Sequence, residues 1–575
     1  MNKGTRIKFH FLIAILIILL GNCLFSSKVY SATLGEVKNF QINSSYDTLG
    51  RKEVSATLER ISNQLYFYLE NSWWLTLSSG EQNKVRDSLF YLANEFEIKI
   101  YPTLTSLFGS EWKPGIDNDE HITVLIHPMK MNRGGYFNSG DENPRLLTPT
   151  SNEREMVYLN SDYITDPLNK SFLAHEFIHL ITFNQKEKIF GVEEETWLNE
   201  ARAEYASTTL GYDSQYQGSN LQRRVNEFLQ NPSDSLTDWH NSSADYGVLN
   251  IFTQYLVDHY GIKVLVDSLH SSKKGIESIN YALSKNGFKE DFPQIFTDWA
   301  IAVFMNDCSL GEKYCYKNEN LKNLKVVPVY NFLPVNLASN LSINYIVKNW
   351  TANWNKIFGG GGTLTFEFEG TLQGNFKVPY VICDSLNICS VKFLALDENQ
   401  SGKILIKDFN KKYLSLTVIP SVQNNSSSPD NPSSNFTFSW KARIDLPAQE
   451  EESISQLLAQ IAALKAEIAK VQAQIDAILG KKTTSCQKFE NNLYLGMTNS
   501  QDVRCLQEFL KNQGSDIYPE GLITGNFLSL TKTAVIRFQE KYADEILKPL
   551  GLTNGTGYFG SLSRDIANRQ ISGVK

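Results

Sequence analysis

The stretch SFLAHEFIHLITFNQK, residues 171–186, carries His175 and His179 four positions apart, with Glu176 directly after the first. On a helix such positions stack on one face, so both imidazoles can aim at a single point. Zinc prefers neutral imidazole donors, and a catalytic site takes three protein ligands and keeps one position open to water. Glu176, beside one ligand yet turned slightly aside, suits a general base that takes a proton from that water. The third ligand has to come from another element. In ETWLNEARAEYAS, Glu200 lies 21 positions beyond His179, and Glu204 follows one helical turn later on the same face. Glu200 can complete the ligand set, and Glu204 can orient a ligand histidine from behind. These acids sit among Trp197, Leu198, Ala201, Ala203 and Tyr205, which is unlike a solvated helix face. Such a centre, with Zn2+ as the expected cofactor, is suited to turning a bound water against a carbonyl carbon, and needs one more group, a donor for the developing oxyanion. Tyr246 in SADYGVLNIFTQYL and His240 in DWHNSS are the candidates.

Rival chemistries lack their residues. There is no GxSxG nucleophile turn and no phosphate-binding loop, and the glycine run 359–362 has no following Lys-Ser or Lys-Thr. The chain holds 62 acidic against 55 basic residues, without a basic block, so it carries no electrostatic footprint for nucleic acid.

The sequence resembles the gluzincin metallopeptidases, in which HExxH is followed by a glutamate on a downstream helix, and is most similar to their hyicolysin type. The resemblance rests on HEFIHLITFNQ, WLNEARAEYAS and GIDNDEHITVLIHPMKMNRGGYFNSGD, and spans about residues 49–269. It implies zinc on His175, His179 and Glu200, with Glu176 as general base. In related aminopeptidase-like gluzincins a tyrosine opening a later helix donates to the oxyanion, and Tyr246 with Gly247 looks similar. His240 would be the counterpart of the histidine used by thermolysin-like enzymes.

The elements that must position these residues are legible in outline. Residues 1–31 read as a signal peptide: Lys3, Arg6 and Lys8 precede an apolar run and then small residues, with cleavage expected after Ser31. Residues 32–327 mix helical periodicity with a strand at DEHITVLIHP, as expected of an α+β zincin-like domain. From 328 to 445 the pattern alternates, as in GGTLTFEFEG and KYLSLTVIP, and predicts a β-sandwich-like module. Ile454, Leu457, Ile461, Leu464, Ile468, Val471, Ile475 and Ile478 repeat at steps of three and four, so 446–482 is expected to be a coiled-coil stalk able to pair two chains. Residues 483–575 carry VRCLQEFL, GLITGNFLSLTKTAVIRFQ and GTGYFGSLSRDIAN, and resemble the small all-α peptidoglycan-binding domain of bacterial envelope proteins.

Beyond the signal peptide six cysteines remain, in three close pairs: Cys308 with Cys315, Cys383 with Cys389, and Cys486 with Cys505. An even count in an exported chain points to disulfides, and the spacing supports these pairings. The resulting expectation is a secreted or envelope-associated zinc endopeptidase acting on proteins or peptides and held at peptidoglycan. Two competitors are a peptidoglycan-cleaving metallopeptidase and an inert adhesion or scaffold protein. The retained Glu176 speaks against the second.

Overall fold

The structure is a computed structural model describing residues 32–131, 133–335, 337–424, 435–445 and 486–573. The signal peptide and the heptad segment lie outside the described residues. The chain is multidomain and mixes helices with several sheets.

The first domain is built on a six-stranded sheet: β1 (Val37–Gln41), β2 (Glu53–Ile61), β3 (Leu65–Glu70), β4 (Ile122–His127), β5 (Gly135–Phe137) and β6 (Met156–Asn160). Its order is β1-β2-β3-β4-β6-β5, so the short β5 forms one edge. The central strands β3, β4 and β6 run parallel, while β1, β2 and β5 add antiparallel flanks. Parallel strands covered on both faces read as continuous apolar runs, and LYFYLE and ITVLIH are buried at every position. The side-chain period of two then divides β3 between two cores. Leu65, Phe67 and Leu69 face the helices, and Tyr66 and Tyr68 join Phe40, Leu58, Tyr136 and Tyr158 on the opposite face.

The helical layer opens with α1 (Ser79–Glu95), capped by a reciprocal Ser78–Glu81 box, and α2 (Tyr101–Phe108). The helix α3 (Asn169–Thr182) carries the HExxH residues and buries nearly its whole surface. It packs on α4 (Thr196–Thr209). Next come α5 (Asn220–Gln230) and α6 (Ser243–Tyr260), the latter started by a Ser242–Asp245 box. These two approach closely at Gly247, where a Cβ would lie 2.5 Å from the Phe228 backbone nitrogen. Any larger residue there would push them apart.

After α9, counting α7 (Lys263–Leu269), α8 (Gly275–Lys285) and α9 (Phe292–Met305), the chain enters the β module. Its strands are almost wholly antiparallel. The long strand Phe436–Asp445 buries Phe436, Phe438, Trp440, Ala442 and Ile444 and exposes Thr437, Lys441 and Arg443 between them, with Ser439 half-buried, as alternation predicts. The module also shares the first domain's core. Trp350 stacks edge-on against Phe292 at 4.9 Å and Phe296 at 5.4 Å, and Trp354 Nε1 donates to the Ala300 carbonyl at 2.8 Å.

By its packing the chain divides into two units, one holding the helical domain with Leu333–Ile444 of the β module and the other Val329–Phe332 with the C-terminal bundle. The bundle comprises α10 (Gln501–Asn512), α11 (Ser529–Lys541) and α12 (Ser561–Ile571). It contains an internal repeat. Gln507 Oε1 accepts from the backbone N–H groups of Thr524 and Gly525 while its amide donates to the Asn526 carbonyl and to Thr531 Oγ1. Gln539 does the same with Thr556, Gly557, Tyr558 and Ser563. Each buried amide thereby locks one turn to a helix.

All three expected cysteine pairs are disulfides, Cys308–Cys315, Cys383–Cys389 and Cys486–Cys505. Such bonds persist in oxidising compartments, which fits an extracellular or periplasmic protein. Among the described residues no helix is long and apolar enough to cross a membrane.

Candidate metal centre

Two helices bring three donors together. His175 Nε2 lies 3.2 Å from His179 Nε2 and 3.1 Å from Glu200 Oε2, and His179 Nε2 lies 3.7 Å from the same oxygen. Donors about 2.1 Å from a common tetrahedral centre stand about 3.4 Å apart. The measured separations bracket that value, so the residues present fit a zinc ion. Among the described residues this is the one group of three or more His, Cys, Asp or Glu side chains whose donor atoms lie within 4.8 Å of one another.

The far nitrogen of each imidazole is also engaged. His175 Nδ1 faces Glu204 Oε1 at 3.3 Å, and His179 Nδ1 faces Asn199 Oδ1 at 3.1 Å. An Nδ1–H donated to these oxygens leaves each Nε2 lone pair directed at the shared point. Glu204 is itself clamped: Arg224 Nε donates to it at 2.8 Å, Asn220 Nδ2 at 2.9 Å and Asn250 Nδ2 at 3.3 Å. Burial opposes its charge, but Arg224 and His175 outweigh burial and hold its carboxyl well below the ordinary range. Burial would also lower the pKa of His175, yet Glu200 and Glu204 raise it to about 10. Two carboxylates, Glu200 and Glu204, thus face the imidazoles, a setting that suits a bound cation.

Glu176 is buried beside the donors, and burial pushes its carboxyl up to about 8. A nearby cation would draw it back toward the ionised form a base requires. Its neighbour is the edge strand: a Cβ on Gly135 would lie 2.9 Å from Glu176 Oε1 and 2.5 Å from the Tyr158 carbonyl. Phe137, on the same strand, stacks on His179 with ring centres 6.2 Å apart.

Tyr246 starts α6 beside the centre, its ring 6.4 Å from that of His175 and covered by the Arg224 guanidinium at 4.3 Å. His240 is differently engaged. It is half exposed, with Nδ1 against the Asp238 carbonyl at 3.0 Å and Nε2 against Lys348 Nζ at 3.2 Å. No hydrogen bond or ring contact joins it to the donor cluster among the described residues.

Several further side chains complete the surroundings of Tyr246 and the donors. Asn241, in the left-handed region at φ 58°, accepts from the Arg133 guanidinium, donates to Tyr46 OH at 3.1 Å and meets Tyr246 OH at 3.5 Å. Arg224 and Asn199 support the donors. Asn199 was legible, since it precedes Glu200 directly; Tyr46, Arg133, Asn241 and Arg224 come from loops and a helix with no fixed spacing to the motif.

No family model matches the chain, and no curated protein matches it. Among solved structures, the pre-peptidase C-terminal domain of a collagenase from Bacillus anthracis aligns over 20% of this chain and 96% of its own, at 6% identity and TM-score 0.15. The Yersinia pseudotuberculosis-derived mitogen aligns over 20% of this chain and 93% of its own, at 14% identity and TM-score 0.15. A periplasmic inhibitor of g-type lysozyme from Aeromonas hydrophila, PliG, aligns over 21% and 100%, at 10% identity and TM-score 0.14. Scores this low carry no argument about fold or activity.

Proposed function

We propose that the protein is a zinc-dependent endopeptidase of the gluzincin type, exported and held at a cell envelope. The observation that carries this reading is the convergence of His175, His179 and Glu200, with Glu176 beside them and both imidazoles tethered at Nδ1. Zinc held there would supply Lewis acidity to the scissile carbonyl and its attacking water. Glu176 takes the proton of that water at its carboxylate and returns it to the leaving amine. Tyr246 OH donates to the developing oxyanion, and Asn241 and Arg224 keep its ring in place. An extended peptide adds to the free edge of β5, where the glycines bring its backbone against Glu176 and strand-type hydrogen bonds set its register.

The C-terminal bundle would bind peptidoglycan, and the heptads from Ile454 to Ile478 would pair two chains so that both bundles engage one surface. The deciding experiment compares casein with purified peptidoglycan as substrate, with and without a zinc chelator. Chelator-sensitive casein cleavage is expected, together with retention of the full chain on wall sacculi. Cleavage of peptidoglycan alone would transfer the activity to the wall; no cleavage of either would make the chain a scaffold.

A further inference from the structure

A second set of acids in the same domain has none of the counter-groups seen around His175. Glu142 ends a short turn, Ser139–Glu142, in the segment that leaves β5, and Glu155 directly precedes β6. Both are almost wholly buried, with exposures of 1% and 2%. Glu155 Oε1 accepts from the Ile116 backbone N–H at 2.8 Å, but Glu155 Oε2 and both oxygens of Glu142 have no hydrogen-bond donor apart from a proton shared between the two carboxyls. The surroundings are made for this carboxylate: a Cβ on Gly115 would lie 1.7 Å from Glu155 Oε2, so only glycine leaves it room. The adjacent Asp141 is fully used by Tyr158, Asn138 and Asn152. The nearby cation, Lys188, sits over the Trp112 ring at 3.4 Å and pairs with neither carboxylate.

We propose that Glu142 and Glu155 bind a calcium ion. Burial raises the pKa of both carboxyls, and a shared proton is the alternative way to quiet them. One proton, however, joins only two oxygens and leaves a third oxygen and a negative charge buried. A dication answers all three orphan oxygens and the charge together. The donors are oxygens alone, which suits a hard cation rather than zinc. Calcium accepts irregular and bidentate carboxylates at six to eight positions, some of them water or backbone carbonyl, whereas magnesium demands a near-ideal octahedron. The ion would tie the segment between β5 and β6 to the turn at Gly115, and so steady the edge strand that lies on Glu176. The inference is independent of the peptidase reading.

The test uses the full chain, with and without added zinc. Calorimetric titration with calcium chloride is expected to show one calcium per chain with zinc content unchanged, and Tm should rise as calcium is raised from micromolar to millimolar. Glu142→Gln should weaken calcium binding by at least ~10-fold while keeping cooperative unfolding, since Glu155 retains its bond to Ile116. The double variant Glu142→Gln/Glu155→Gln should lose the calcium response. No calcium uptake by the wild type, unchanged uptake in Glu142→Gln, or magnesium binding as tight as calcium would overturn the proposal. A Tm that follows pH but ignores calcium would assign the pair to a shared proton instead.

Discussion

Two histidines buried in the same domain have opposite fates. His175 is surrounded by carboxylates whose charge overcomes burial and holds its pKa at about 10. His127, at the end of β4, is fully buried among Tyr136 and Tyr158, and neither ring nitrogen has a hydrogen-bond partner. Burial lowers its pKa to about 4, although Asp47 Oδ1 lies 3.5 Å away and opposes the shift. Arg51, paired with that aspartate, adds its own charge to burial and pushes the imidazole further down. Burial, aided by Arg51, therefore makes a neutral ring at His127, whereas acids supplied from a second element keep His175 basic. The difference lies in α4 and α5, which bring Glu200, Glu204 and Arg224 to His175.

The strongest way to break this contrast is Glu176→Gln. The amide keeps the shape but cannot take the proton, so turnover should fall by ~10²–10⁴ while zinc content stays at one per chain. Residual cleavage above a tenth of wild type would leave Glu176 a structural role only. Arg224→Met comes next. It strands the Glu204 carboxylate in a buried site, and unfolding in denaturant should show a loss of about 3–5 kcal/mol, with zinc held more weakly. Unchanged stability would mean that His175 alone neutralises Glu204.

Tyr246→Phe should raise the catalytic barrier by about 2–4 kcal/mol with folding and zinc intact. The comparison variant His240→Ala, on a half-exposed ring already held by Asp238 and Lys348, should change kcat by less than about twofold. A larger effect at His240 would reverse the two roles.

His127 supplies the pH arm. Its folded pKa of about 4 lies below its ordinary 6.5, so the unfolded chain binds the proton first as pH falls. Its contribution is complete above pH 6.5 and drains away as pH falls toward 4. The whole step is worth no more than about 3 kcal/mol. Denaturation of His127→Leu across that window should show a flatter pH dependence than wild type; equal slopes would place the titration elsewhere.

Much of this was legible along the chain. The spacing of His175 and His179 needs only a helix to become a pair of donors, and period-two alternation is enough to divide the strand Phe436–Asp445 between core and solvent. Close cysteine pairs needed only local chain reversal. The heptad spacing from Ile454 to Ile478 and the basic-then-apolar N-terminal pattern are likewise features of residue order, and both lie outside the described residues.

Tertiary packing alone decided the rest, because a contact between distant segments leaves no fixed spacing. Arg224 and Asn250 look like ordinary helix residues until α5 and α6 close around Glu204. His240 and Tyr246 can both donate by type, and the Tyr-Gly pattern already favours Tyr246; the direction of α6 brings that tyrosine to His175 while the β module's Lys348 occupies the histidine. Glu142 and Glu155 lie 13 positions apart in a polar, loop-like stretch that reads as solvated. Only the fold buries them face to face, since burial is a property of what packs above a residue and not of the residue itself.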